Sequence, residues 1–232
     1  MIKDLDLENQ LVKYNQNDRP NVFVSIAVQL DEDGEAKHAV IFIRYRGSDY
    51  LFHFPGAIPP VIENYSGQLT PNLIYKVLDN FDTEDDSDVG SFLRHCQRVC
   101  DQSNVTYGFI FDNSTYETDG RYLSISGLPE IATCVGFCVN VLSNYVIDID
   151  KSYFQLDDWD TNGIIENYDV WAQQQTAKNY PDLDWNLYNT YKKRISPIEY
   201  LSSGFCSVFP IRKQTIQNIQ PHVEREIAIK LA

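Results

Sequence analysis

The stretch PEIATCVGFCVNVL, residues 129–142, sets two cysteines one helical turn apart behind the start-type residues Pro129 and Thr133. A thiolate nucleophile needs stabilising, and the first turn of a helix supplies unpaired N–H groups and the positive end of the helix dipole. Cys134 stands where that first turn is expected. Cys138 lies one turn deeper on the same face and reads as a packing residue, the usual fate of a free cysteine. A thiol nucleophile also needs a base, and the chain offers four histidines: His38, His53, His95 and His222. His95 beside Cys96 and His222 at the start of the last helix read as surface or interface residues. His38 opens the run HAVIFIRY and His53 lies inside YLFHF, so two neighbouring strands carry a candidate pair.

Whether that pair meets depends on the register of one hairpin. A four-residue loop over Arg44–Gly47 sets His38 directly opposite His53. A two-residue Gly47-Ser48 turn sets His53 opposite Phe42 instead, roughly 13 Å along the strand from His38. The residues alone leave both registers open.

Two further groupings have the chemistry of metal ligands. DWDTNGIIENYD, residues 158–169, places Asp158, Asp160 and Asn162 at positions 1, 3 and 5 of an EF-hand-like loop. The backbone carbonyl of Ile164 falls at position 7, Glu166 at 9 and Asp169 at 12, with Gly163 at the sharp turn. Alternating oxygen ligands of this kind wrap a calcium ion, although a solvated Asp/Asn/Gly turn carries the same letters. Calcium is the one cofactor the sequence raises, and no organic cofactor motif is present. Cys96, Cys100, Cys134 and Cys138 supply four thiols, but their C-x3-C spacing is unlike a zinc knuckle, and core packing is the expected role of Cys96, Cys100 and Cys138.

The elements that must position these groups follow from periodicity. NVFVSIAVQL, KHAVIFIRYRG and YLFHFPG read as three consecutive antiparallel strands. TPNLIYKVLDNF, with Thr70 as N-cap and Pro71 at the first helical position, reads as a helix over 70–81. The run DTEDDSD reads as a solvated loop, and VGSFLRHCQRVC as a helix with Cys96 and Cys100 on its buried face. VTYGFIF, RYLSIS and YVIDI read as further strands around the cysteine helix. Residues 151–203 hold all three tryptophans and read as helix and loop, and a strand at GFCSVFPI and a helix at PHVEREIAIKL close the chain. The fold expected is α+β: an antiparallel β-meander or half-barrel packed on the cysteine helix in 1–150, a helical extension in 151–203, and a closing strand and helix in 204–232.

HAVIFIRYRGSDYLFHF resembles the histidine-bearing strand pair of NlpC-type papain-like cysteine peptidases. TCVGFCVNVL resembles the cysteine helix of their circularly permuted branch, which includes lecithin retinol acyltransferase-like proteins. The order His38, His53, Cys134 is the permuted order, and the resemblance covers about residues 21–150. It implies a papain-like core in which Cys134 is the nucleophile, His38 the general base and His53 the residue that orients His38. Val40 stands where the family carries a glycine.

Bulk properties narrow the partners. With 33 acidic against 19 basic residues the formal charge is −14, which disfavours tracking a phosphate backbone and favours a basic protein partner. No run is long and apolar enough to span a bilayer, and the charged first residues lack a secretory pattern, so a cytoplasmic location is expected, with export by a signal-independent route left open. Five cysteines in 232 residues make reduced thiols the default. Two functions compete: a thiol hydrolase acting on a peptide, amide or other acyl substrate, and a catalytically inactive acidic binding or inhibitor protein on the same fold. A carbohydrate platform built on the tryptophans is a third, weaker reading.

Overall fold

A computed structural model describes residues 6–14, 20–66, 72–148 and 151–232. The chain folds as α+β around a six-stranded antiparallel sheet. Its strands are β1 (Leu11–Lys13), β2 (Phe23–Leu30), β3 (Ala36–Tyr45), β4 (Ser48–His53), β5 (Val61–Asn64) and β6 (Leu73–Val77), in the spatial order β1-β6-β2-β3-β4-β5. A short helix α1 (Leu7–Gln10) precedes β1. The expected meander is therefore present as β2-β3-β4 and continues through β5.

The helix expected over 70–81 is replaced by β6, which pairs with β2 on one side and β1 on the other. The proposed cap residues Thr70 and Pro71 lie outside the described residues. The physical reason is burial on both faces: Leu73, Ile74, Tyr75 and Lys76 are all buried, Ile74 in the main core and Leu73 and Tyr75 in the second apolar layer. A strand between two others needs apolar groups on both sides, and its β-branched and aromatic content then outweighs a good helix start.

Helix α2 (Asp86–Gln102) takes in part of the acidic run expected as a loop. Asp85 is its N-cap, accepting from the Ser87 N–H, and Asp86 and Asp88 sit in the first turn, where the dipole favours anions. Four two-residue strands follow, β7 (Thr106–Tyr107), β8 (Thr115–Tyr116), β9 (Tyr122–Leu123) and β10 (Ile131–Ala132). They pair as β7 with β10, parallel, and β8 with β9, antiparallel. Helix α3 (Cys134–Val146) carries the cysteines and runs through the first residues of the strand expected at YVIDI. Beyond it come α4 (Glu166–Asn179), α5 (Trp185–Tyr191), α6 (Pro197–Ser203) and α7 (Lys213–Leu231). The strand expected at GFCSVFPI is reduced to a single bridge between Ile211 and Phe154; Pro210 offers no N–H to a ladder.

One apolar core unites these parts. Ala39, Ile41, Ile43 and Phe52 from one sheet face pack with Phe92, Val135, Phe137 and Cys138, and also with Tyr200, Leu201, Ile216 and Val223 from the last two helices. The opposite sheet face holds a smaller layer of Phe23, Val40, Phe42, Leu51 and Tyr75.

Candidate active site

Cys134 is the first residue of α3, and Thr133 is its N-cap, accepting from the Gly136 N–H at 3.1 Å. The segment entering the helix is anchored by buried Glu130. Its carboxylate accepts from the Tyr116 hydroxyl at 2.6 Å, the Asn104 N–H at 2.9 Å and the Ser103 hydroxyl. The position of Cys134 is thus fixed from both sides. Burial pushes the Cys134 thiol above its usual range, while the N–H groups of Ala39 and Val135 and the charge of Arg194 oppose that rise. Cys138 is fully buried, and its thiol donates to the Ala39 carbonyl at 3.7 Å. Both cysteines therefore face the backbone of one residue of β3, Ala39. They can do so because the β3–β4 ladder ends at Ile41↔Phe52, leaving Ala39 without a partner on that side.

The hairpin takes neither of the two expected registers. Tyr45 pairs with Ser48 across a two-residue Arg46-Gly47 turn, and both turn residues have positive φ, 49° and 78°, as a type I′ turn requires. Extended one step beyond the ladder, this register sets His53 beside Val40, two residues from His38. Diagonal neighbours on one face are within reach of long side chains, and the imidazoles close the gap. His38 Nε2 and His53 Nδ1 lie 2.8 Å apart, with the rings near perpendicular at 78°.

Glu63 on β5, a residue the motifs did not flag, completes the line. Its carboxylate stands 3.6 Å from His53 Nε2. The only sequence signal for it is a lone acid in the strand after YLFHF. A carboxylate at that nitrogen favours the His53 tautomer protonated at Nε2, so His53 Nδ1 accepts and His38 Nε2 donates. The remaining nitrogen, His38 Nδ1, then carries a lone pair. Burial, with a smaller contribution from the charge of His53, pushes His38 down to about 4. His53 is also lowered by burial, against the pull of Glu63. At neutral pH the groups rest as thiol and neutral imidazoles.

Strand alternation gives the two halves of the site different aspects. His38 and His53 share the parity of Val40 and Leu51, whereas Cys134 packs on the side of Ala39 and Phe52. They come to one cleft where the strands part. That cleft, of about 890 Å³, is lined by His38 and Cys134 together with Phe54, Tyr107, Trp171 and Arg194. A smaller recess of about 430 Å³ adjoins it through Tyr107 and Trp171 and adds Asn104, Gln175 and Asn179. The Tyr107 and Trp171 rings pack against each other between the two.

The other sequence candidates lie elsewhere. His95, expected at a surface or interface, is buried within the chain against Phe92 and Tyr145, and burial holds its pKa below the usual value. His222 is exposed on α7. Asp158 accepts two bonds from the Arg212 guanidinium at 2.5 and 2.9 Å, and Asp169 accepts from Lys192 at 2.6 Å and Gln173 at 3.0 Å. Asp160 accepts from Asn162, and Glu166 begins α4. The six residues of the calcium-type loop, Ile164 included, are thus spread over a turn and a helix start. Among the described residues no group of three or more His, Cys, Asp or Glu side chains is gathered as a metal site. Cys96 and Cys100 pack in α2 with Cys96 fully buried.

No family model, curated protein or solved structure matches this chain.

Proposed function

We propose that the chain is a cysteine-dependent acyl hydrolase of the peptidase or amidase type, working in the papain-like manner its motifs resemble. The observation that supports this reading is a thiol at the first position of a helix sharing a cleft with a histidine whose far nitrogen is bonded to a second histidine. Such a constellation is a nucleophile, a base and an orienter.

In this reading His38 Nδ1 removes the Cys134 proton as sulfur attacks the substrate carbonyl carbon. The cation formed on His38 is spread by its Nε2–H bond to His53 and by Glu63 beyond. The N–H of Cys134 at the helix start serves the developing oxyanion. Collapse of the tetrahedral intermediate breaks the bond to the leaving amine or alcohol, which takes the proton from His38. A thioester remains on Cys134. Water, deprotonated by the same nitrogen, attacks it, releasing the acid and returning the proton to sulfur. An amine or hydroxyl acceptor in place of water makes the same steps a transfer.

A second reading, non-covalent binding in the same cleft, is favoured by one observation: the imidazoles have the strand parity of the sheet face opposite to Cys134. Alkylation with iodoacetamide near neutral pH separates the two. Catalysis requires Cys134 to react at least about tenfold faster than free cysteine, and His38→Asn to remove that advantage. Reaction of Cys134 at or below the rate of free cysteine sinks the hydrolase reading.

A further inference from the structure

Among the described residues, four of the chain's nine arginines are matched to acids, and Arg94 and Arg98 donate to a hydroxyl and a backbone carbonyl. Arg44 holds Asp49, Arg46 holds Asp86, Arg121 holds Glu117 and Asp119, and Arg212 holds Asp158. Arg194 lies in the cleft without a carboxylate partner among the described residues. Its place is set by the backbone: its N–H donates to the Asp160 carbonyl at 2.7 Å. Its charge is felt at both Cys134 and Tyr107. A half-buried, unmatched guanidinium in a protein of charge −14 is a planar fork suited to a planar anion. The surrounding wall is aromatic and apolar, formed by Phe54, Tyr107, Phe109 and Trp171.

We propose that Arg194 is the anion-recognition residue of the cleft, and that the ligand class is a carboxylate-bearing compound with an aromatic or apolar body, such as an N-acyl amino acid or the C-terminal end of a peptide. Lys37 also lines the cleft but is paired with Asp31 and Glu35, so among the described lining residues Arg194 is the positive charge left to match a monoanionic carboxylate. The aromatic wall accepts the apolar body, and the adjoining recess, with Asn104, Gln175 and Asn179, offers amide groups to the amides of a longer chain. As a substrate class this rests on the hydrolase reading; as a binding site it stands without it.

The test uses the Cys134→Ala protein, so no covalent step intervenes, and follows tryptophan fluorescence on titration with N-acetyl-L-phenylalanine and with its amide. The carboxylate is expected to bind at least tenfold more tightly than the amide. Arg194→Gln abolishes that preference, and Arg194→Lys keeps part of it with an unchanged melting temperature. In the intact thiol protein, iodoacetate should label Cys134 faster relative to iodoacetamide than it does free cysteine, and Arg194→Gln should lower that ratio about tenfold. Equal binding of acid and amide, or a preference that survives Arg194→Gln, overturns the proposal. A Cys134 inert to both reagents with the binding preference intact removes the hydrolase reading and leaves the anion site standing.

Discussion

His38 and His53 are joined ring to ring at 2.8 Å across two strands whose ladder has already ended. Their contact is diagonal, and this makes it sensitive to what holds His53 from behind. Glu63 does so at 3.6 Å, and it is half exposed. Glu63→Gln is therefore expected to leave the fold intact and slow Cys134 alkylation several-fold, because an amide can present either a donor or an acceptor to His53 Nε2 and no longer selects one tautomer. An NMR measurement of the His53 tautomer should show a mixture in the variant. An unchanged tautomer with a lowered rate would falsify the relay.

The same pair predicts an acid limit on stability. His38 in the folded protein is pushed down to about 4 from the ordinary 6.5. The unfolded chain therefore binds the proton more readily, so stability is complete above about pH 6.5 and is lost as the pH falls toward 4. The interval corresponds to an upper bound of about 3 kcal/mol if His38 titrates alone. Urea denaturation at pH 7 and pH 4.5 measures it, and His38→Asn should reduce the difference.

Cys134 and Cys138 should separate cleanly by substitution. Cys134→Ala removes alkylation at the cleft and any hydrolysis, with little change in melting. Cys138→Ala keeps the labelling and costs roughly 1 kcal/mol, the scale of a small group deleted from a packed core. Mass mapping of the labelled peptide, with thermal melts of both variants, reads the two effects.

Glu130 sits under the entrance to α3 with three hydrogen-bond donors on its carboxylate. Glu130→Ala leaves those buried donors unmatched and is expected to cost about 3 kcal/mol. Glu130→Gln should recover part of that. A melt of each variant suffices, and an alanine variant as stable as the parent would show that the network does not hold the segment.

For the 158–169 loop, Asp158 and Asp169 are engaged by Arg212 and Lys192, and an ion would have to displace both. Millimolar calcium is expected to move the melting temperature by less than a degree in the parent protein. A rise of several degrees, abolished by Asp160→Asn, would restore the loop as a calcium site.

The sequence made the meander, the cysteine helix and the Cys-His-His candidates legible because each rests on a local signal: alternation, a cap, a spacing. What it hid was set by distant contacts. Residues 73–77 follow a helix-start signal at Thr70 and Pro71 but serve as a strand because β1 and β2 flank them, and residue spacing does not show neighbours that arrive from elsewhere in the chain. His95 read as a surface or interface residue beside Cys96, and Phe92 and Tyr145 enclose it. Arg194 and Glu63 lack any motif, since a guanidinium or carboxylate acquires meaning only through the groups it faces.

The two-residue turn at Arg46-Gly47 has a reach beyond its own strands. By fixing Tyr45 against Ser48 it sets Phe52 opposite Ile41 at the last rung and brings His53 to within one diagonal of His38, beside the place where the strands part. The hairpin tip is in this sense a ruler for the mouth of the cleft. A slip of that pairing by one residue would turn His53 to the other face of the sheet and part it from His38.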